Sequence, residues 1–142
     1  MSKTYLSADE LGITKIEREA MIATIDVLRS EQITFNMAVP YSADGGRHLT
    51  KTQPACGTNL CIGGAMSLLM QNGMKIPADV TPEMAERCNE FVMSHDGLDD
   101  ALEPLFFDTI DSDLMPSEGI AAIERFLTGH THDPWKMGKP EV

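Results

Sequence analysis

The chain has 142 residues, of which 42% are hydrophobic, and this is enough for one domain with a core of its own. Its 22 acidic residues against 11 Lys and Arg give a formal net charge of −11, which excludes binding to nucleic acid through phosphate contacts. The longest apolar run, residues 60–70, has about half of the ~20 residues that a membrane-spanning helix needs. We therefore predict a single α-rich domain over residues 1–142 that contacts neither nucleic acid nor a membrane.

The first ten residues and the cysteines bear on the compartment. Residues 1–10, MSKTYLSADE, contain no apolar core of the kind that a secretory signal has. The three cysteines are an odd number at irregular spacing, which favours free thiols over disulfides. We expect a cytoplasmic protein whose thiols are reduced.

The first long helix is predicted from about residue 15 to residue 30. Thr14 and Glu17 have the spacing of a capping box, in which each side chain bonds the backbone amide of the other residue. Apolar residues then recur at helical spacing as far as residue 27. A shorter helical turn is expected before it, at residues 7–11.

The segment that follows the helix changes its hydrophobic period from 3.6 to 2. Ile33, Phe35, Met37 and Val39 alternate with smaller or more polar residues until Pro40. This alternation is typical of a half-buried strand, and the turn-forming residues 42–46 favour a return strand. We predict a small β-hairpin over about residues 33–51, which must lie on helices to be stable.

The stretch CGTNLCIGGA, residues 56–65, raises the main question about chemistry. Thr58 is a good N-cap, and the residues that follow are apolar on nearly every side, which is typical of a helix that is buried all round. We therefore predict a central helix over about residues 58–71. Its small residues would allow another helix to cross closely.

Two further regions are predicted to be helical. Thr81 and Pro82 have the residue types of an N-cap and a first helical position, and Ser117 is the predicted cap of a last helix that Gly129 ends. Residues 98–106 have helical spacing as well, but Pro104 is expected to kink or split them. A polar tail, residues 130–142, follows, and its Trp135 is expected to dock back. The predicted fold is mainly α: four to five helices around the buried central helix, with one hairpin.

Three chemical roles compete with packing at the CGTNLCIGGA stretch. Cys56 and Cys61 are at the edge of zinc-ligand spacing, but no convincing second pair follows them. A catalytic thiol needs a base nearby, which the sequence does not supply locally. A small-ligand site at the predicted helix start would use Cys56, Gly57, Thr58 and Asn59 through free backbone amides and a hydroxyl. We favour packing, and we predict no metal and no cofactor.

Acidic residues are concentrated in the second half of the chain. From Cys88 to Glu124 inclusive there are ten acids and no Lys or Arg. This run is either a solvated surface that aids solubility or a docking surface for a basic partner. The residues that we predict to bind a partner are Asp96, Asp99, Asp100, Glu103, Asp108, Asp111 and Asp113.

The pattern C-G-T-x-x-C-I-x-G at Cys56–Gly64, with Phe35–Met37 before it and Leu105–Phe106 after it, resembles a family of small uncharacterised proteins of phages and bacteria. The resemblance covers about residues 33–128. Gly63 and Ala65 depart from it, since Ala is commoner at the first position and Trp or His at the second. The family has no activity to transfer, so the resemblance implies only a phage or mobile-element accessory protein in a bacterial host cell.

Two functions follow as hypotheses. The first is non-enzymatic protein–protein interaction, in which the acidic protein inhibits a basic, nucleic-acid-binding host protein, for example one of a defence system. The alternative is a small-ligand or nucleotide-binding protein, or a Cys-dependent enzyme, with its site at Cys56–Asn59. We prefer the first because charge is a property of the whole chain. The oligomeric state, including a homo-oligomer, stays open.

Overall fold

The computed structural model describes residues 5–37, 41–43, 50–54, 58–97, 100–107, 115–131 and 134–135. The helices in this part of the chain are α1 (Ala8–Leu11), α2 (Lys15–Arg29), α3 (Ile62–Gln71), α4 (Pro82–Met93), α5 (Glu103–Phe107) and α6 (Pro116–Leu127). The strands are β1 (Thr34–Phe35), β2 (Ser42–Ala43), β3 (Gln53–Pro54), β4 (Thr58–Leu60) and β5 (Asp79–Val80). The described chain is mainly α, as the sequence predicts.

The predicted starts of α2 and α4 are confirmed in atomic detail. Thr14 Oγ1 accepts a hydrogen bond from the amide of Glu17 at 3.1 Å, and Glu17 Oε1 accepts one from the amide of Thr14 at 3.0 Å. At the start of α4, Thr81 Oγ1 accepts from the amide of Met84 at 3.1 Å, and Pro82 is the first helical residue. Both caps satisfy amides that a helix N-terminus leaves without an intrahelical partner.

The predicted cap of α6 is wrong. Met115 is the N-cap and Pro116 is the first helical residue, so Ser117 already lies inside the helix. Pro suits this position because it has no N–H to satisfy and its fixed φ is helical. Glu118 Oε1 accepts a hydrogen bond from the amide of Met115 at 2.7 Å, as the third helical residue does in a capping box.

The predicted hairpin is also wrong, although the alternation of burial is confirmed. Ile33, Phe35 and Met37 are buried and Thr34 is exposed. However, β1 pairs in parallel with β4, and β2 pairs antiparallel with the other edge of β4. The first strand therefore has a distant partner in sequence, and β1 and β2 flank β4 instead of pairing with each other. The return strand was predicted at residues 47–51, of which residues 47–49 lie outside the described residues. A second small sheet pairs β3 with β5.

The helix predicted over residues 58–71 begins at Ile62, four residues later than expected. Thr58 is not its N-cap, because Thr58–Leu60 is β4, whose backbone is paired on both edges. Cys61 is the N-cap, and its Sγ accepts a hydrogen bond from the amide of Gly64 at 3.4 Å. The chain enters α3 directly from the middle strand of the sheet.

Residues from all parts of the described chain meet in one hydrophobic cluster. In α3 every residue from Ile62 to Leu69 is buried, and this helix packs against α2, α4 and α5. The tail contributes as well, since the indole Nε1 of Trp135 donates a hydrogen bond to the carbonyl of Leu105 at 2.9 Å. The expectation that Trp135 docks back is thus confirmed. Pro104 lies in the first turn of α5, which is separate from α4.

Candidate functional site

The described half of the predicted ligand site at Cys56–Asn59 is used within the fold. Thr58 Oγ1 donates to the carbonyl of Pro54 at 3.2 Å, and Asn59 Nδ2 donates to Ser42 Oγ at 3.3 Å. Both side chains are buried in the middle strand, and they do not lie at a helix start. Cys56 and Gly57 lie outside the described residues. The side chains of Thr58 and Asn59 therefore stabilise loops and strands of the same chain.

The thiols of Cys61 and Cys88 are buried in the contact between α3 and α4. Burial raises the pKa of Cys61 to about 11, against a smaller lowering by the backbone amides of Gly64 and Gly63. Burial likewise raises the pKa of Cys88 to about 12. Nucleophilic and metal-binding cysteines need the thiolate, so these two behave as core residues. Within the described residues, no group of three or more His, Cys, Asp and Glu side chains has the arrangement of a metal site.

The predicted partner-binding acids have different surroundings. Asp96 is exposed, whereas Asp100 and Glu103 are half-buried. The other four lie outside the described residues: Asp99, Asp108, Asp111 and Asp113. Asp100 is one of the predicted partner-binding acids, but its carboxylate is bound by neighbouring groups of the chain.

Asp100 belongs to a cluster of three ionisable side chains that the sequence does not reveal. His95 Nδ1 lies 2.7 Å from Asp100 Oδ1, and His95 Nε2 lies 3.4 Å from Glu17 Oε2. The same Asp100 oxygen accepts a hydrogen bond from the amide of Leu102 at 2.9 Å. The exposed fractions of the Glu17, His95 and Asp100 side chains are 14%, 16% and 26%, so solvent reaches all three only in part. We call Glu17, His95 and Asp100 the histidine clasp.

Aromatic rings cover the remaining faces of the clasp. The ring centroids of His95 and Phe91 are 4.9 Å apart, those of His95 and Phe106 are 5.6 Å apart, and both pairs meet edge to face. The clasp thereby joins the start of α2, the end of α4 and the start of α5. Glu17 is identifiable in the sequence only as part of the capping box, because no local pattern connects it with His95.

The outer face of α4 carries three exposed acidic residues. Glu83, Glu86 and Glu90 are spaced i, i+3 and i+7, so they lie on one side of the helix, and all three are exposed. Met93 continues the same side and is 49% exposed. We call these four residues the α4 face. Glu83 and Glu86 precede the acid-only run, so that run does not point to this face, although the helical spacing of the three glutamates is visible in the sequence.

The carboxylates of the α4 face lack basic partners in the part of the chain that the structure describes. Within the described residues, no Lys or Arg forms an ion pair with Glu83, Glu86 or Glu90. Arg87, on the same helix, directs Nη1 to Gln71 Oε1 at 3.5 Å. Asp96 extends the exposed negative charge beyond the end of α4. The α4 face thus combines repelling carboxylates with an exposed thioether at one end.

A groove of about 490 Å³ lies between α1 and the first half of α2. The charged residues that line it have both signs: Asp9, Glu10, Lys15, Arg18 and Glu19. Arg18 Nε donates to the carbonyl of Leu6 at 2.7 Å, so this cation anchors the chain before α1. The groove shows no preference for one kind of charged ligand.

Comparison of the chain with protein-family models, with curated proteins and with solved structures finds no match. Among the described residues, no helix has both the length and the apolar character that crossing a membrane requires. The site is therefore interpreted from its own geometry.

Proposed function

We propose that the protein acts by non-enzymatic binding, and that the α4 face and the acid-rich segment after it occupy the basic site of a nucleic-acid-binding host protein. The observation that carries this proposal is the exposure of Glu83, Glu86 and Glu90 without a basic partner in the described residues. Like charges on one side of a helix repel one another, and a surface rich in Lys and Arg relieves that repulsion.

The composition of this surface also suits a protein partner. Met93, which is 49% exposed at the end of the α4 face, offers a flexible apolar contact beside the carboxylates. Asp96 is exposed just beyond it, and the acids of residues 99–113 continue the proposed surface in sequence. Such a surface imitates the charge of nucleic acid, so the protein competes with nucleic acid for its partner.

The buried stretch after Cys56 has a packing role in this proposal. The raised pKa values of Cys61 and Cys88 and the internal hydrogen bonds of Thr58 and Asn59 support α3 as a central packing helix. We assign no catalytic residue and no cofactor. The resemblance to phage and bacterial proteins supports a phage or mobile-element inhibitor that acts against host defence in the cytoplasm of the bacterial cell.

The test uses protamine, an arginine-rich DNA-binding protein, as the basic probe. The protein is titrated into a complex of protamine with a short fluorescent DNA duplex, and release of the duplex is followed by fluorescence anisotropy. We expect release by the wild type, and a loss of potency of about tenfold in a double variant with Glu86→Lys and Glu90→Lys.

The matched control carries Asp26→Lys and Glu31→Lys, which change the net charge by the same amount. Asp26 is exposed in the second half of α2, Glu31 is exposed just after that helix, and neither belongs to the α4 face. The control is expected to retain most of the potency. Equal losses in the two double variants would mean that only the net charge matters, and the proposed surface would be wrong.

A further inference from the structure

The two interatomic distances in the histidine clasp show which of its contacts contains a hydrogen when the ring is neutral. At 2.7 Å, His95 Nδ1 and Asp100 Oδ1 must share a hydrogen, since two acceptors do not approach so closely. A neutral imidazole has one N–H. In a neutral ring that hydrogen is therefore on Nδ1, and Nε2 presents a lone pair to Glu17 Oε2 at 3.4 Å.

One additional proton changes the character of that second contact. With a proton between His95 Nε2 and Glu17 Oε2, the two acceptors become a donor and an acceptor, whichever atom holds the proton. The ring then hydrogen-bonds Asp100 on one side and attracts Glu17 on the other. Without that proton, Nε2 and Oε2 repel each other in a site that water reaches only in part.

We propose that the histidine clasp is a pH-sensitive switch, closed when this proton is bound and loosened when it is lost. In the described part of the chain, the ionisable groups that face the ring are Glu17 from α2 and Asp100 from the segment before α5. The other faces meet Phe91 of α4 and Phe106 of α5, which do not titrate. The switch thus depends on one proton between His95 and Glu17, on a ring whose other nitrogen is held by Asp100.

The clasp controls the approach to α5. Asp100 Oδ1 contacts His95 Nδ1 and also accepts a hydrogen bond from the amide of Leu102, just before α5. Closing the clasp fixes Asp100 on α2 through His95 and Glu17. Acidification therefore orders the start of α5, and this consequence requires no partner to be identified.

The variant Glu17→Gln tests the role of the additional proton without removing the side chain that caps α2. The glutamine amide donates a hydrogen bond to the unprotonated Nε2, so the clasp closes without the additional proton. The carbonyl oxygen of the same glutamine retains the capping box with Thr14. The variant is therefore expected to keep α2 intact and to remove the pH dependence alone.

The experiment is amide hydrogen exchange, read for the amides of Leu102 and Phe106, which donate to Asp100 Oδ1 and to the carbonyl of Leu102. Rates at about pH 5.5 and about pH 8 bracket the range in which imidazole ordinarily changes charge. They are corrected for the intrinsic pH dependence of exchange. We expect protection in the wild type to be higher at the lower pH by on the order of tenfold, the factor that one charge-assisted hydrogen bond supplies.

In Glu17→Gln the corrected protection is expected to be the same at both pH values. His95→Gln, which has no titrating ring, is expected to be equally insensitive and serves if the first variant folds poorly. The amide of Phe126 in α6 is the internal control for global unfolding. Unchanged protection in the wild type, or a pH dependence that survives both variants, would overturn the switch, whereas the protamine titration decides the proposed function separately.

Discussion

Gly63 marks the closest approach between α3 and its neighbours. A Cβ built on Gly63 would lie 2.6 Å from Val92 Cγ2 and 3.2 Å from a ring carbon of Phe106. Real Cβ atoms do not tolerate the first distance, and the β-branched side chain of Val92 has little rotamer freedom to move away. This glycine is therefore required by packing.

Gly63→Ala is expected to lower the free energy of unfolding by about 1–2 kcal/mol, because overpacking outweighs the better helix propensity of alanine. Urea unfolding followed by circular dichroism measures it. Adding Val92→Ala removes the clashing methyl group, so the double variant is expected to lose less stability than the two single changes added together. A single variant as stable as the wild type would contradict this packing argument.

The buried thiols give a second prediction at the residue scale. At about pH 8, three units below its pKa of about 11, about one Cys61 side chain in a thousand is a thiolate. In a Cys56→Ser background, Cys61 and Cys88 are expected to resist a thiol reagent in the folded protein and to react after denaturation. Rapid reaction of the folded protein would revive the cysteine-enzyme hypothesis.

The same pKa shifts have a consequence for stability at alkaline pH. The folded state holds the thiol protons of Cys61 and Cys88 more tightly than the unfolded chain does. The contribution of these two thiols to the free energy of unfolding is therefore fully present below the ordinary thiol pKa of 9.0. It is lost as the pH rises above that value.

At the scale of elements, α5 depends on groups from outside the helix. Five residues are too few for a helix to be stable alone in water. Asp100 Oδ1 accepts from Leu102 just before α5, and Trp135 Nε1 donates to the carbonyl of Leu105 within it. Arg125 Nη1 in turn donates to the carbonyl of Pro134 at 2.5 Å, which holds the tryptophan segment on α6.

Trp135→Phe is expected to destabilise the protein by about 1–2 kcal/mol, because the carbonyl of the buried Leu105 loses its indole donor. Trp135→Ala is expected to cost more, since the packing of the ring is lost as well. Both are measured by urea unfolding followed by circular dichroism. A Trp135→Phe variant with unchanged stability would show that the indole hydrogen bond contributes nothing.

Elements that depend on local signals were predictable, and those that depend on distant partners were not. The starts of α2 and α4 follow from the sequence, because their signals lie within three or four residues of the helix start: Thr14 for α2, and Thr81 with Pro82 for α4. The predicted strand pairing was wrong because β1 and β2 each pair with β4, a strand that short-range turn signals cannot identify. The predicted start of α3 was wrong for the same reason, since pairing on both edges of β4 keeps Thr58 extended.

At the scale of the whole molecule, the charge of −11 is distributed unevenly over the described surface. The α4 face carries carboxylates that have no basic partner in the described part of the chain, whereas the groove between α1 and α2 has charges of both signs. The histidine clasp adjoins the end of α4, so the proposed docking surface and the proposed switch share one end of the molecule.

The sequence by itself determined the sign of the charge, the mainly helical character and the alternating burial of Ile33, Phe35 and Met37, because each depends on composition or on neighbours along the chain. Only the tertiary structure decided which strands pair and which acids serve the fold. Asp100 looks in the sequence like any other member of the acid run, yet His95 and the amide of Leu102 bind its carboxylate. Glu17 reaches the same histidine from a distant helix, because the packing of helices brings together groups that no local pattern connects.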